Sequence, residues 1–231
     1  MNNIKKIAIV GHWTGVNSFG ISKPYLFFWQ QFGEVSLISP FETHVRDIDL
    51  LVMPGGPDVD PYRYLDFNQD THPFTGQPCM QKERFDRFLL HKYIDANIPI
   101  FGTCRGMQSM WVAFGGELNQ HMNHETNPEN DGGKLMHAIN FENTHVVPGF
   151  SAVANHKNDE YKVNSRHHQT VSDKDKPQIC TILARHSKDS EIEFATTFPH
   201  YPCHMTQHHV EDTSDPATVF LINHLLNLDN G

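Results

Sequence analysis

The chain has 231 residues, with 18 Lys and Arg against 27 Asp and Glu, a net charge of −9. That balance argues against a nucleic-acid or anionic-membrane partner, because phosphate backbones and anionic lipids attract basic faces. A chain this long buries enough surface to form a core without disulfide staples, and its length suits one α/β domain, 1–231.

The N-terminal residues Met1 to Lys6 lead into a short apolar run without the length or cleavage site of a secretory signal. Lys5 to Val10 reads as a first strand buried on both faces. Ser22 suits a helix N-cap, with Pro24 in the first turn and the helix reaching about Phe32. Val35–Ser39 and Ile48–Met53 read as the second and third strands, the latter ending at Pro54-Gly55-Gly56-Pro57. A polar loop, Asp58 to Pro78, precedes a helix over Met80–Asn97, whose apolar spacing runs through Phe85, Phe88, Leu89, Tyr93 and Ile94. Ile98–Phe101 is the fourth strand. Gly102-Thr103-Cys104-Arg105-Gly106 then turns the chain into a helix over Met107–Phe114.

Alternating strands and helices predict a parallel sheet with helices on both faces. In such sheets ligands bind beyond the carboxyl ends of the strands. Both the Gly55-Gly56 loop and Cys104 are expected there. Beyond Gly116 the pattern changes. Asn119–Lys134 is a polar loop, and with 58–78 it is a candidate lid or partner surface. Strands at Ala138–Val147, Ile179–Ala184, Ile192–Phe198 and about Cys203–His208 are expected to pair in an antiparallel or mixed way. A closing helix over Asp215–Leu228 starts from a Ser214 or Asp215 cap.

Cys104 carries the first chemical signal. A lone cysteine in an apolar region reads equally as a small buried hydrophobe. Between two glycines after a strand, it reads instead as a nucleophile on a tight elbow, where the helix start favours thiolate. A base and an orienting group would complete it. His209-Val210-Glu211 offers both if the chain is extended there and the two side chains share one side, while the spacing alone also reads as a surface strand end. The other cysteines, Cys79, Cys180 and Cys203, form no CxxC pair, so they read as structural in a reducing, cytoplasmic compartment. The 17 histidines show no HExxH or knuckle spacing, so no metal is expected. No apolar stretch reaches membrane-spanning length.

Four ordered blocks carry a family resemblance: Met53-Pro54-Gly55-Gly56-Pro57-Asp58-Val59-Asp60-Pro61-Tyr62, Gly102 to Gln108 followed by Val112 to Gln120, Val163-Asn164-Ser165-Arg166-His167-His168-Gln169, and Gln207-His208-His209-Val210-Glu211. Together they resemble the class I glutamine amidotransferase-like hydrolases, and within them the gamma-glutamyl-gamma-aminobutyrate hydrolase (peptidase C26) subfamily. The resemblance implies a three-layer, flavodoxin-like α/β fold with a mostly parallel central sheet and a small antiparallel section. It implies a Cys104–His209–Glu211 triad, backbone oxyanion donors at Gly56 and Arg105, and no cofactor. Gly55, Gln108, His167, His168 and Gln169 are the expected substrate-binding residues, although a solvated turn explains 167–169 equally well. The implied reaction is hydrolysis of a γ-glutamyl amide through a thioester on Cys104. The alternatives are a glutaminase feeding ammonia to a separate synthetase partner, and a non-catalytic binding protein on the same fold. A homo-oligomer is left open.

Three departures stand out. Val210 replaces a proline, His208 gives the presumed base a second candidate beside it, and Trp111 stands where the subfamily often has asparagine.

Overall fold

The computed structural model describes residues 4–15, 18–39, 41–65, 71–122, 136–154, 161–188 and 191–228. In chain order the elements are β1 (Lys6–Val10), β2 (His12–Gly15), β3 (Ser18–Gly20), α1 (Lys23–Trp29), β4 (Glu34–Ile38), β5 (Leu50–Met53), α2 (Met80–Phe88), α3 (Leu90–Asp95), β6 (Ile100–Thr103), α4 (Arg105–Ala113), β7 (Leu118–Asn119), β8 (Met136–Phe141), α5 (Phe150–Ala154), β9 (Lys162–Asn164), β10 (Thr170–Val171), β11 (Thr181–His186), β12 (Ile192–Thr196), β13 (Cys203–Thr206), α6 (Val210–Thr213) and α7 (Pro216–Leu226).

One nine-stranded sheet organises them, in the order β4-β1-β5-β6-β13-β12-β11-β8-β9. Pairings from β4 to β13 are parallel, and those from β13 to β9 are antiparallel. The antiparallel part is therefore larger than expected, matching the parallel part pairing for pairing. The apolar runs are continuous in β1, β5 and β6 because both faces of these strands are covered. Ala8, Leu51 and Ile100 pack with Phe85, Met107 and Trp111 of α2 and α4. Ile7, Leu50 and Phe101 face the other way, onto Phe28 and Trp29 of α1 and Leu221 and Leu225 of α7. That alternation builds the three layers.

Several boundaries differ from the sequence reading. The helix expected over 80–97 is broken at Leu89 into α2 and α3. The strand expected to run to Val147 stops at Phe141, because Asn143 turns left-handed (φ 48°, ψ 28°) and starts a 3-10 turn. Asp215 caps α7, its carboxylate accepting from the Thr218 N–H at 2.9 Å, while Ser214 ends α6 in the left-handed region. The β2–β3 hairpin and the short pairings of β7 with β10 and β8 with β9 were not anticipated. Residues 66–70 of the first loop and 123–134 of the second, both considered as lids, lie outside the described residues. Among the described residues no helix is long and apolar enough to cross a membrane.

Candidate active site

β6 and β13 are neighbours in parallel register, with Thr103 opposite Thr206. The next residue on one strand is Cys104, whose N–H donates to the Thr206 carbonyl at 2.8 Å. Cys104 sits at φ 51°, ψ −115°, a strained conformation for a residue with a side chain, and is the N-cap of α4. The helix starts at Arg105, two residues earlier than the sequence spacing suggested. Gly106 makes the sharp turn feasible: a Cβ there would stand 1.9 Å from the Met53 carbonyl oxygen. The elbow thus presses against the end of β5, where the Gly55-Gly56 loop begins.

Past β13 the chain reaches His209, which is extended (φ −89°, ψ 105°) and caps the short helix α6. The local conformation differs from the extended run expected through Glu211. His209 Nδ1 nevertheless donates to Glu211 Oε1 at 2.9 Å, because Glu211 lies in the first turn of α6 and folds back. Val210 occupies the first helical position, where proline is also well tolerated, so its substitution leaves the turn intact. Asn164, at the end of β9, fixes the base from behind. Its Oδ1 accepts the His209 N–H at 2.9 Å and its Nδ2 donates to the His209 carbonyl at 2.7 Å.

The structure brings Cys104, His209 and Glu211 together. The imidazole lies on the Cys104 side, where negative charge on the sulfur favours its protonation. Gly55 closes against both: a Cβ there would stand 3.2 Å from His209 Cε1 and 3.6 Å from Cys104 Cβ. Burial opposes charge on His209, but negative charge on Cys104 and then the Glu211 carboxylate outweigh it and raise the imidazole to about 10. Burial would raise Glu211, but its hydrogen bond and attraction to His209, with Arg166 behind, hold it below the ordinary carboxylate range. An imidazolium beside a cysteine and oriented by a carboxylate is what this arrangement sustains near neutral pH.

His208 is separated from this constellation. Its ring is fully buried, with Nδ1 at 2.5 Å from Thr206 Oγ1 and Nε2 at 2.8 Å from Asp215 Oδ2, so one nitrogen is held by β13 and the other serves the start of α7. Cys180 and Cys203 are pushed up to about 12 by burial and are inert thiols. Trp111 is wholly buried in the core of α4, and a Cβ on Gly116 would strike its ring at 2.4 Å.

The expected substrate-binding residues separate into two groups. Gln108, one turn into α4, donates from Nε2 to the Gln169 carbonyl at 2.8 Å, and the buried Gln169 amide finds no hydrogen-bond partner among the described residues. His168 is partly exposed, and its Nε2 lies 3.1 Å from Asp58 Oδ2, tying the 165–169 segment to the loop after β5. His167 is turned inward. Nε2 is 3.2 Å from Ser165 Oγ, and Nδ1 is 3.2 Å from the Gln169 carbonyl and 3.3 Å from Glu191. With Glu191 and Glu193 it brings ligand-type atoms within 4.8 Å of one another. A nitrogen that faces a backbone carbonyl must carry its proton, so Nδ1 donates to the Gln169 carbonyl and is not a free metal ligand. His137 Nε2 lies 2.6 Å from the second carboxylate, that of Glu193. The cluster is therefore a set of imidazole–carboxylate pairs.

Arg105 does more than begin α4. Its buried guanidinium donates to Glu83 Oε1 at 2.6 Å and to Ser109 Oγ at 2.8 Å, and it stands 2.8 Å from Asp86 Oδ2. Arg63 reaches the same two carboxylates at 3.5 and 3.0 Å. This network bolts α2 to the start of the nucleophile helix. The sequence reading did not find it, nor Asn164, nor Lys82. The available signal was that Lys82 and Asp86 share a helical face with Phe85 and Leu89, so charged groups sit on a buried stripe.

A parallel sheet carrying a cysteine elbow at one strand end, with a His–Glu pair following the adjacent strand, defines a glutamine amidotransferase-type cysteine hydrolase. The chain matches the Peptidase C26 family over residues 25–211 and belongs to it, within the class I glutamine amidotransferase-like proteins. It is 28% identical over 171 residues to the glutamine amidotransferase-like protein YvdE of Lactococcus lactis subsp. lactis, covering 71% of this chain and 70% of that one. It is 29% identical over 141 residues to Protein NtpR of Enterococcus hirae, covering 56% and 54%. Among solved structures, a glutamine amidotransferase from Thermotoga maritima superposes with a TM-score of 0.59 at 13% identity, covering 91% of this chain and 77% of that one. A chain of the PurLQS structure from the same organism gives 0.63 at 15% identity, covering 97% and 99%. These two likenesses establish the fold.

Proposed function

We propose that this protein hydrolyses a γ-glutamyl amide through a thioester on Cys104. The Cys104 sulfur attacks the side-chain carbonyl carbon, and the oxyanion forms toward the backbone N–H groups of Gly56 and Arg105. Arg105 opens α4, so its N–H is one of the helix's unpaired first-turn donors and lies at the positive end of the dipole. His209 then protonates the departing amine, the C–N bond breaks and the γ-glutamyl thioester remains. The neutral imidazole takes a proton from water, hydroxide adds to the thioester, and glutamate leaves with the thiolate restored. Glu211 keeps the ring in the tautomer that faces the sulfur. Gly55, Gln108, His168 and Gln169 are the candidate substrate contacts, and the unmet hydrogen bonds of the Gln169 amide support that role. His167 supports the wall behind them.

The observation that carries the proposal is the His209–Glu211 bond of 2.9 Å with the same imidazole against a cysteine held at φ 51°. The test is a mass-spectrometric count of adducts with a glutamine-mimicking chloroketone, alongside glutamate release from glutamine and a panel of γ-glutamyl amines. One adduct per chain on Cys104, absent in Cys104→Ser, together with turnover by the isolated protein, is the expected result. Labelling elsewhere, or no turnover of any γ-glutamyl compound, overturns it. A second reading, a glutaminase that works with a synthetase, draws support from the likeness to a PurLQS chain. It predicts turnover only when such a partner is added.

A further inference from the structure

Lys82 is a buried cation without a counter-ion among the described residues. It lies on α2 with 2% of its surface exposed, and among the described residues no hydrogen bond or ion pair holds its Nζ. Its neighbours are already committed. Glu83 and Asp86 are shared between the guanidinium groups of Arg105 and Arg63, two cations against two anions, so that network is neutral without the lysine. A buried charge is expensive unless something compensates it.

The lysine lies against the loop that carries the oxyanion. A Cβ on Gly56 would stand 2.8 Å from Lys82 Cε, 3.2 Å from Cδ and 3.4 Å from Nζ. Gly56 holds φ 157°, an angle that a residue with a side chain rarely adopts, and packs its backbone against the end of the lysine. Gly55, one residue earlier, faces Cys104 and His209. The loop is therefore a single layer of backbone, with the catalytic pair near one glycine and the unpaired cation against the next.

Resting on the proposed thioester chemistry, we infer that Lys82 is a positioning residue of this site: its ammonium, packed against Gly56, holds the loop and supplies the positive charge that the oxyanion compensates as it forms. The groups around it set its response to pH. Burial and the Arg105 guanidinium push its amine down to about 7, while Asp86 and Cys79 on its own helix and Cys104 from the elbow favour the charge. Gly55 and Gly56 contribute no ionisable group, and the carboxylates further along that loop are paired elsewhere, Asp58 with His168 and Asp60 with Arg87. The ammonium is thus present in the resting site on the acid side of neutrality and fades above it. Negative charge arriving on the substrate oxygen draws the proton back. The catalytic rate should carry an ionisation near neutrality that belongs neither to His209 nor to Cys104.

Lys82→Met and Lys82→Arg test this with two probes. Iodoacetamide alkylates a thiolate without forming an oxyanion, whereas amide turnover requires one. Lys82→Met should alkylate at Cys104 within about threefold of the parent but lose roughly 10- to 100-fold in kcat, with KM little changed, as when an oxyanion donor is weakened. It should melt no lower than the parent, since an apolar side chain replaces an uncompensated charge. Lys82→Arg should recover most of kcat and abolish the ionisation near pH 7, because guanidinium does not titrate there. Lys82→Met with kcat within threefold of the parent overturns the inference, as does an unchanged pH profile in Lys82→Arg. If Lys82→Met fails to fold, the parent and Lys82→Arg profiles decide alone. Failure of Cys104 to alkylate in the parent strikes instead at the thioester proposal.

Discussion

Glu211→Gln separates the charge of the orienting carboxylate from its geometry. The Nδ1–H of His209 meets Glu211 Oε1 at 2.9 Å, and an amide oxygen can accept the same bond, so the tautomer survives while the charge is lost. His209 stands at about 10, against 6.5 for an ordinary imidazole. Its side chain is 19% exposed, so the shift reflects roughly 5 kcal/mol of preference for the imidazolium. Cys104 supplies the larger favourable share and Glu211 the next. Assigning about a third to the carboxylate gives about 1.5–2 kcal/mol, or roughly 10- to 30-fold in kcat/KM. In the proposed reaction the imidazolium is the acid that protonates the leaving amine, so it must persist on the alkaline side. In Glu211→Gln the alkaline limb of the kcat/KM profile should move down by about one pH unit. Glu211→Ala, which also frees the ring to turn, should lose about tenfold more. A Glu211→Gln enzyme within twofold of the parent, with its alkaline limb in place, would refute the assignment of this carboxylate.

Three other outcomes are expected. Cys104 at φ 51°, ψ −115° stores about 1–3 kcal/mol of backbone strain that glycine does not feel, so Cys104→Gly should melt a few degrees above Cys104→Ala, measured by calorimetry. Asn164→Ala removes both bonds to the His209 backbone and should cost about 2–4 kcal/mol in urea unfolding and lower kcat, with no shift of either limb of the pH profile. His204 is fully buried, and burial together with the His224 imidazole 3.0 Å away holds it well below 6.5. It folds neutral and is protonated more readily unfolded, so its contribution is complete above pH 6.5 and is lost as pH falls below that value. The urea midpoint should therefore drop between pH 7 and pH 5, and drop less in His204→Gln.

Continuous apolar runs made β1, β5 and β6 legible, because a parallel strand covered on both faces leaves an uninterrupted signature. The Gly102–Gly106 frame made the elbow legible for a related reason: a Cβ at either glycine would collide with its neighbours, so the frame records a steric demand. What depends on distant partners was not legible. Residues 162–164 carry no strand signature of their own, and β9 exists because Met136–Ala138 lies beside it. His208 and His209 are chemically identical in sequence. The His-x-Glu spacing favours His209, but only Asp215 and Thr206 show where His208 goes instead. The role of Lys82 is not legible in the sequence, because periodicity records which face a residue occupies, not whether its charge finds a partner there.

The distance in the sequence between the proposed nucleophile and base, from Cys104 to His209, is closed by one strand pairing. β6 and β13 run parallel in strict register from Ile100 with Cys203 to Thr103 with Thr206, and the Cys104 N–H extends that ladder by one bond. The segments that carry Cys104 and His209 therefore leave the sheet at the same level, one into α4 and the other through His209 into α6. Asn164 arrives from the antiparallel half and ties the base in place, while Gly55 arrives from β5 and closes the gap between ring and sulfur. The site is thus assembled where the parallel half of the sheet meets the antiparallel half. Any change that slips β13 against β6 by one residue would turn the following side chains to the opposite face and separate the pair, which makes this register the structural condition for the chemistry.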